Sequence, residues 1–558
     1  MAGKIAIYQV LPRLFGNTNK SCIPNSSYNT NGCGKLDQFN QEILLRLKSF
    51  GYTHIWFTGV IRHASQTAFS QFGIEDQSPL IVKGKAGSPY AIVDYYDVSP
   101  DLSNNVAERM LEFEQLIGRC HNAGLKVIID FVPNHVSRAY KSLVKPSGTE
   151  DFGEGDKTDY PFHPTNNFYY IPDSQFVSPV VNETYSYPEQ TTREFYEIPA
   201  KATGNDCFTS TPKMDDWYET VKLNYGVDIL NGGTEYFNPI PDTWHKMRDI
   251  LLFWAKKGVD GFRCDMAAMV PLKFWEWVIP QVKNQFHHLT FIAEIYEKER
   301  YEHFINGGFD YLYDKVGLYD TLRAITMGNG ETGEITKCWS SLNGIEDKML
   351  NFLENHDEQR VASDFFMGDP FKAIPALTVA LMLNRAPFLI YFGQELGERG
   401  MDSEGFSGMD GRTTIYDYWS VSSIREWIES NTLPEIGHLY KELIKIAVTD
   451  SAVCYGLKYD LQYANSELAG PDNKKIYSFM RKSDDSLLLI AVNFFSTEKS
   501  AAVKIPTGAL DYFGLKGQIL MDGRDIFGDY SDKFSIIPDQ PVEIKLDSYG
   551  VRVIKFLL

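Results

Sequence analysis

Four short segments of this 558-residue chain end on side chains that can move protons or form covalent bonds. They are Asp130-Phe131-Val132-Pro133-Asn134-His135, Gly261-Phe262-Arg263-Cys264-Asp265, Ala293-Glu294 and Asn355-His356-Asp357. One acid at the end of an apolar run is usually a helix cap or an ion-pair partner, but four loaded ends in sequence order are hard to obtain by chance. Arg263 and Asp265 are two apart, so on a strand they project to the same side. The guanidinium is expected to hold the carboxylate ionised, as a nucleophile requires. Glu294, one strand on, would face it across a bond to be broken and supply the proton. Neighbouring strands lie about 4.8 Å apart, close to the roughly 5–5.5 Å between carboxyls that accompanies double displacement at an anomeric carbon; single displacement by water needs roughly 6.5–9.5 Å.

Such residues need a scaffold that gathers strand ends around one mouth. Short apolar runs at 5–10, 52–57, 127–131, 259–265, 290–294, 309–313, 349–355 and 387–392 alternate with helical patterns, which is βα repetition. The helical pattern over 111–121 stops before Gly124 and that over 250–257 before Gly258, glycines suited to ending a helix. Eight units predict an α/β protein, a (β/α)8 TIM barrel over residues 1–135 and 229–450, with its site at the carboxyl ends of the strands. Over 136–228 the rhythm gives way to sequence such as Tyr160-Pro161-Phe162-His163-Pro164 and Tyr185-Ser186-Tyr187-Pro188. A structureless loop that long is uncommon, so an inserted domain is expected after strand 3. From 451 to 558, short alternating strands and turns predict a C-terminal antiparallel β-sandwich.

Composition narrows the partners. With 54 Lys plus Arg against 73 Asp plus Glu the net charge is −19, and no basic patch interrupts it, so nucleic acid and anionic membranes are disfavoured as partners. A hydrophobic share of 43% with 23% charged residues is that of a globular protein with large cores. No run approaches the roughly 18 apolar residues of a membrane span. Met1-Ala2-Gly3-Lys4 leads straight into the first strand without a signal peptide; a chain whose signal had been removed reads the same, leaving cytoplasmic and exported locations open. Seven cysteines without a CxxC pair argue against a zinc site or a disulfide framework, and Cys22 and Cys33, in one loop, either bridge or stay free.

The four segments resemble the four signature regions of the alpha-amylase family, glycoside hydrolase family 13, in its bacterial alpha-amylase or cyclomaltodextrinase-like members. The resemblance extends over the barrel, the insertion and the terminal sandwich. It implies that Asp265 is the nucleophile, Glu294 the general acid and then base, and Asp357 a transition-state stabiliser acting through sugar hydroxyls. It also implies that Arg263 orients Asp265 while His135 and His356 hydrogen-bond the sugar at the cleavage subsite. Gly87-Ser88-Pro89-Tyr90-Ala91-Ile92-Val93-Asp94 resembles the motif after strand 2, with Tyr90 stacking on that sugar and Asp94 completing the motif among the substrate-binding residues. Arg412, in Asp410-Gly411-Arg412 after strand 8, is a candidate donor-side contact; Arg412, Trp419 and Arg360 read equally well as scaffold.

The resemblance further implies that Asn134 stands where many family members hold a structural calcium through a side-chain oxygen; the acidic stretch at 150–156 reads as a solvated loop in preference to a further source of ligands, and Asp206 and Asp228 are unplaced candidates. Nothing calls for an organic cofactor. Met266-Ala267-Ala268-Met269 stands where animal and fungal members carry a Lys-His pair, a departure compatible with bacterial alpha-amylases, cyclomaltodextrinases and neopullulanases. The expected activity is retaining hydrolysis of α-1,4-glucosidic bonds in starch-derived α-glucans or maltooligosaccharides. A cyclomaltodextrinase, neopullulanase or α-glucan transglycosylase would use the same residues. An inactive carbohydrate-binding relative is disfavoured by the presence of Asp265, Glu294 and Asp357. For Tyr512, Phe513, Phe527 and Tyr530 in the sandwich, core packing is expected rather than a sugar-binding face.

Overall fold

Eight parallel strands close on themselves: β1 Ala6–Val10, β2 His54–Phe57, β3 Lys126–Phe131, β4 Gly261–Cys264, β5 Thr290–Ala293, β6 Tyr311–Tyr313, β7 Met349–Phe352 and β8 Phe388–Tyr391, with β8 paired to β1. These are the predicted runs with their ends adjusted. The structure, a computed structural model, describes residues 3–182, 194–465, 474–528 and 530–558, so the segment around Tyr185 lies outside the described residues.

Because side chains alternate, each strand divides its residues between two environments. Ile7, Trp56, Ile128, Ile292, Leu350 and Leu389 form the cluster inside the barrel. Tyr8, Ile55, Ile129, Phe291 and Ile390 pack outward against the helices. Both faces are dry, which is why the strands read as continuous apolar runs. The same parity carries Asp130, two residues beyond Ile128, and Glu294, two beyond Ile292, into the barrel mouth.

Helices fill the crossovers. Helix α1 (Gln41–Phe50) starts at Asn40, whose side chain accepts from the Ile43 amide, and ends at Gly51 with φ 111°. Helix α2 (Arg109–Asn122) stops before Gly124 at φ 73°, and α3 (Asp242–Lys256) before Gly258 at φ 98°. The α3 start lies well upstream of the expected residue 250.

After β3 the chain leaves the barrel, and its entry strand His135–Ser137 pairs antiparallel with its return strand Thr220–Lys222. A second small pairing joins Tyr170–Ile171 to Ala200–Lys201. The C-terminal region holds β9 Leu457–Asp460, β10 Ile476–Lys482, β11 Ser486–Asn493, β12 Lys499–Lys504, β13 Leu520–Asp525, β14 Lys533–Ile536, β15 Pro541–Leu546 and β16 Val551–Leu557. Six of them form an antiparallel sheet in the order β9-β10-β11-β16-β13-β14, and β12 pairs with β15. Leu487, Leu489 and Ala491 of β11 pack with Val503 and Ile544 of the β12–β15 pair. Leu488, Ile490 and Val492 join the barrel-side core. Of the four sandwich aromatics, Phe513 and Phe527 are buried, while Tyr512 and Tyr530 are exposed. Cys22 and Cys33 are both free thiols. No described helix is long and apolar enough to cross a membrane.

Candidate active site

Arg263 enters the barrel mouth from β4 and is fully buried. Its Nη1 donates to Asp265 Oδ1 at 2.8 Å and to Asp130 Oδ1 at 3.3 Å, and its Nε donates to the Tyr313 hydroxyl at 3.2 Å. Nη2 lies 2.7 Å from Glu294 Oε2 as an ion pair. The rings of Trp56, Tyr90 and Tyr313 each stand 5.4 Å from the guanidinium carbon. One cation therefore serves three carboxyls delivered by three adjacent strands. Asp265 Oδ1 is taken by this arginine, whereas Asp265 Oδ2 has no hydrogen-bond partner and its residue lines a pocket of about 240 Å³.

The electrostatics differ from the simple expectation. Burial pushes the Asp265 carboxyl well above the usual carboxylate range; Arg263 pulls it down, and Glu294, Asp130 and Asp357 push it up again. Burial likewise raises Asp130 against the pull of Arg263. A guanidinium shared among three acids does not offset the cost of burying Asp265 and Asp130, so these two carboxyls hold protons more tightly than they would in water. Asp357 behaves in the opposite sense. Burial raises it, but the charge and hydrogen bond of His356, with Arg263 and Arg412 further off, bring it down to about 2.

Glu294 is positioned by its neighbours. Its Oε2 accepts from the Met266 amide at 2.8 Å and its Oε1 from the Tyr296 hydroxyl at 2.6 Å. Met266, directly after Asp265, has φ 43°, a left-handed conformation that few non-glycine residues adopt, and there the chain leaves β4 for the turn Ala267–Met269. Opposite them, His356 Nε2 stands 3.0 Å from Asp357 Oδ2 and 2.5 Å from the Tyr90 hydroxyl, and its Nδ1 is 2.8 Å from Gln9 Nε2. Tyr90 stacks on that imidazole with ring centroids 5.2 Å apart. His135 meets the edge of Trp217 with centroids 5.3 Å apart.

Asp265, Glu294, Asp357, Tyr90, His135 and His356 all line the pocket, and Arg263 lies directly behind it. Asp94 does not line it. It is fully buried, and its carboxylate accepts from Ser142 Oγ at 2.6 Å and from the amides of Leu143 at 2.7 Å and Tyr96 at 3.0 Å. Its expected sugar contact is therefore corrected to an anchor for the first part of the insertion. Arg412 is half-exposed, pairs with Asp410 at 3.1 Å and stays outside the lining, acting on Asp357 through its charge. Arg360 is scaffold: it holds Glu354 at 3.0 Å, the Phe392 carbonyl and Thr413. Trp419 is buried in the main core.

The expected calcium ligands do not fit that ion. Asn134 Oδ1 accepts from Lys222 Nζ at 2.6 Å, and Asn134 Nδ2 donates to the Gly204 carbonyl at 2.8 Å. Asp206 pairs with the same lysine. Asp156 is occupied by the amides of Asn167 and Phe168 and the Tyr170 hydroxyl, and Asp228 by Asn231. Among the described residues no three His, Cys, Asp or Glu side chains converge as a metal site.

Several lining residues were not foreseen. Asp130 and Tyr313, which hold Arg263 behind the pocket and do not line it, were legible, since strand parity points both inward. Lys83, Trp217, Glu219, Tyr296 and Tyr416 come from loops with no periodic signal. Lys83 Nζ and Glu219 Oε2 form a buried ion pair at 2.9 Å in the pocket wall.

Residues 9–289 match the family model of the alpha amylase catalytic domain. The chain is 23% identical over 473 residues to alpha-amylase 3 of Dictyoglomus thermophilum, covering 80% of this chain and 83% of that one. Among solved structures, an alpha-amylase from H. orenii superposes with a TM-score of 0.64 at 18% identity, covering 100% of both chains. A maltogenic alpha-amylase, AmyB, from Thermotoga neapolitana gives 0.63 at 18% identity, covering 99% of both. At such identities the solved structures establish the fold.

Proposed function

The chain belongs to the alpha-amylase family of glycoside hydrolases, and from that premise we propose that it cleaves α-1,4-glucosidic bonds of starch-derived α-glucans or maltooligosaccharides with net retention, through a covalent glycosyl-enzyme on Asp265. The observation that carries this reading is the division of labour at Asp265: Oδ1 is held by Arg263, and Oδ2 is left without a partner at the pocket. A carboxylate fixed by one oxygen and unpaired at the other, beside the pocket, is oriented for attack.

In the first step Asp265 Oδ2 bonds to the anomeric carbon as the glycosidic C–O bond breaks, and protonated Glu294 gives its proton to the departing oxygen. In the second step Glu294, now ionised, takes a proton from water as the water oxygen displaces Asp265. Asp357, ionised at any working pH, and the His356–Tyr90 pair face the same pocket and would hold sugar hydroxyls and the ring face.

The test is incubation with maltoheptaose and, separately, β-cyclodextrin, following products by chromatography and the new anomer by NMR. Early release of α-anomer is expected, and Asp265→Asn is expected to lower turnover by about a thousandfold or more while substrate binding survives. A β-anomer, or a variant with near-native turnover, would overturn the assignment.

A further inference from the structure

We infer that the cation tying the insertion to the barrel is the ammonium of Lys222, standing where the family resemblance puts calcium, and that this protein carries no divalent metal there.

The geometry is that of a three-point clamp. Lys222 lies on the return strand of the insertion, directly opposite His135 on the entry strand. Its Nζ is 2.6 Å from Asn134 Oδ1, 2.8 Å from Asp206 Oδ1 and 3.3 Å from the Met269 carbonyl. An ammonium has three donors, and three oxygens meet it here. They come from three different segments: the exit of β3, the insertion, and the turn that follows β4. Lys222 is only 4% exposed, so water does not substitute for these partners.

A calcium ion would need six to eight oxygen ligands at about 2.3–2.6 Å. The oxygens here include a single carboxylate, and an ion among them would stand in contact with an ammonium that already occupies the centre. Gly204 completes the fit. Its carbonyl takes the Asn134 amide, and a side chain there would meet Thr220 Oγ1 at 2.6 Å and His135 Cβ at 3.0 Å, so the backbone closes directly over the clamp.

The clamp touches the active site from both sides without entering it. Asn134 leads directly into His135, whose Nδ1 stands 3.1 Å from Asn134 Nδ2. Met269 closes the turn that begins at Met266, the residue whose amide holds Glu294. Lys222 is thus a positioning residue for two pocket walls. The inference concerns what fills this junction and stands whichever glucan is cleaved.

The experiment measures bound calcium by elemental analysis and thermal unfolding in EDTA and in millimolar calcium, for the full-length wild type and for Lys222→Met, which keeps the length of the side chain and removes its charge. The expected wild type holds far less than one calcium per chain and unfolds at the same temperature in both buffers. The variant, leaving Asn134 and Asp206 without their donor, is expected to unfold roughly 5 °C or more below it. One calcium per chain in the wild type, a wild-type transition that falls in EDTA and returns with calcium, or a variant that unfolds at the wild-type temperature would each overturn the inference. The wild-type arm decides by itself if the variant does not fold.

Discussion

Asp265 and Glu294 start from similar side-chain chemistry and are separated by what touches them. Asp265 has one oxygen on Arg263 and one buried oxygen without a hydrogen-bond partner, while both oxygens of Glu294 are occupied, by the Met266 amide and by the Tyr296 hydroxyl. If Glu294 is the acid, Glu294→Gln should slow cleavage of maltooligosaccharides far more than cleavage of glucosides with an activated aryl leaving group, which need little protonation. Rates measured on both substrates check this, and equal losses would move the acid role elsewhere.

Two elements that are distant in sequence build the wall opposite the catalytic strands. The loop carrying Lys83 and Tyr90 comes from the β2–β3 connection, and Trp217, Glu219 and Thr220 come from the end of the insertion. The Lys83–Glu219 pair joins them. Both side chains are nearly dry, so removing one partner strands a charge, whereas removing both does not. Lys83→Met is therefore expected to raise KM roughly tenfold with a smaller change in kcat, and Lys83→Met combined with Glu219→Gln to recover part of it. Steady-state kinetics on a maltooligosaccharide series would show whether the two effects are coupled. The β11 strand illustrates the same logic for stability: it reads as an unbroken apolar run because one face meets the sandwich core and the other the barrel.

At the scale of the whole molecule, the barrel closes where β8 meets β1, and a buried acid sits at that seam. Glu395 accepts from the Tyr8 hydroxyl at 2.7 Å, its second oxygen has no partner, and burial pushes its carboxyl up to about 7. An unfolded glutamate loses its proton near 4.3, so between that pH and about 7 the folded chain holds a proton that the unfolded chain has released. The contribution to stability is fully present below the unfolded value and is lost as the pH rises through the folded one. Glu395→Gln, which cannot ionise, is expected to gain on the wild type above pH 7 by an amount on the order of 3 kcal/mol, with the gain disappearing near pH 4. Denaturant unfolding across that range measures it.

The sequence alone determined what depends on local period. Apolar runs punctuated by glycine-terminated helices specify the eight strands, and parity along each strand specifies that Asp130, Arg263, Asp265 and Glu294 point into one mouth. Only the tertiary structure decided what depends on contacts between segments remote in the chain. Asp94 and Asn134 lie in family-like motifs, yet Ser142 takes the first and Lys222 the second, and neither partner is announced by any spacing. Lys83 and Glu219 likewise became neighbours only once the insertion folded back beside the barrel. Periodicity records which face of an element is buried, because burial acts on every turn or every second residue. Which charge ends beside which is set by loops that have no period to read.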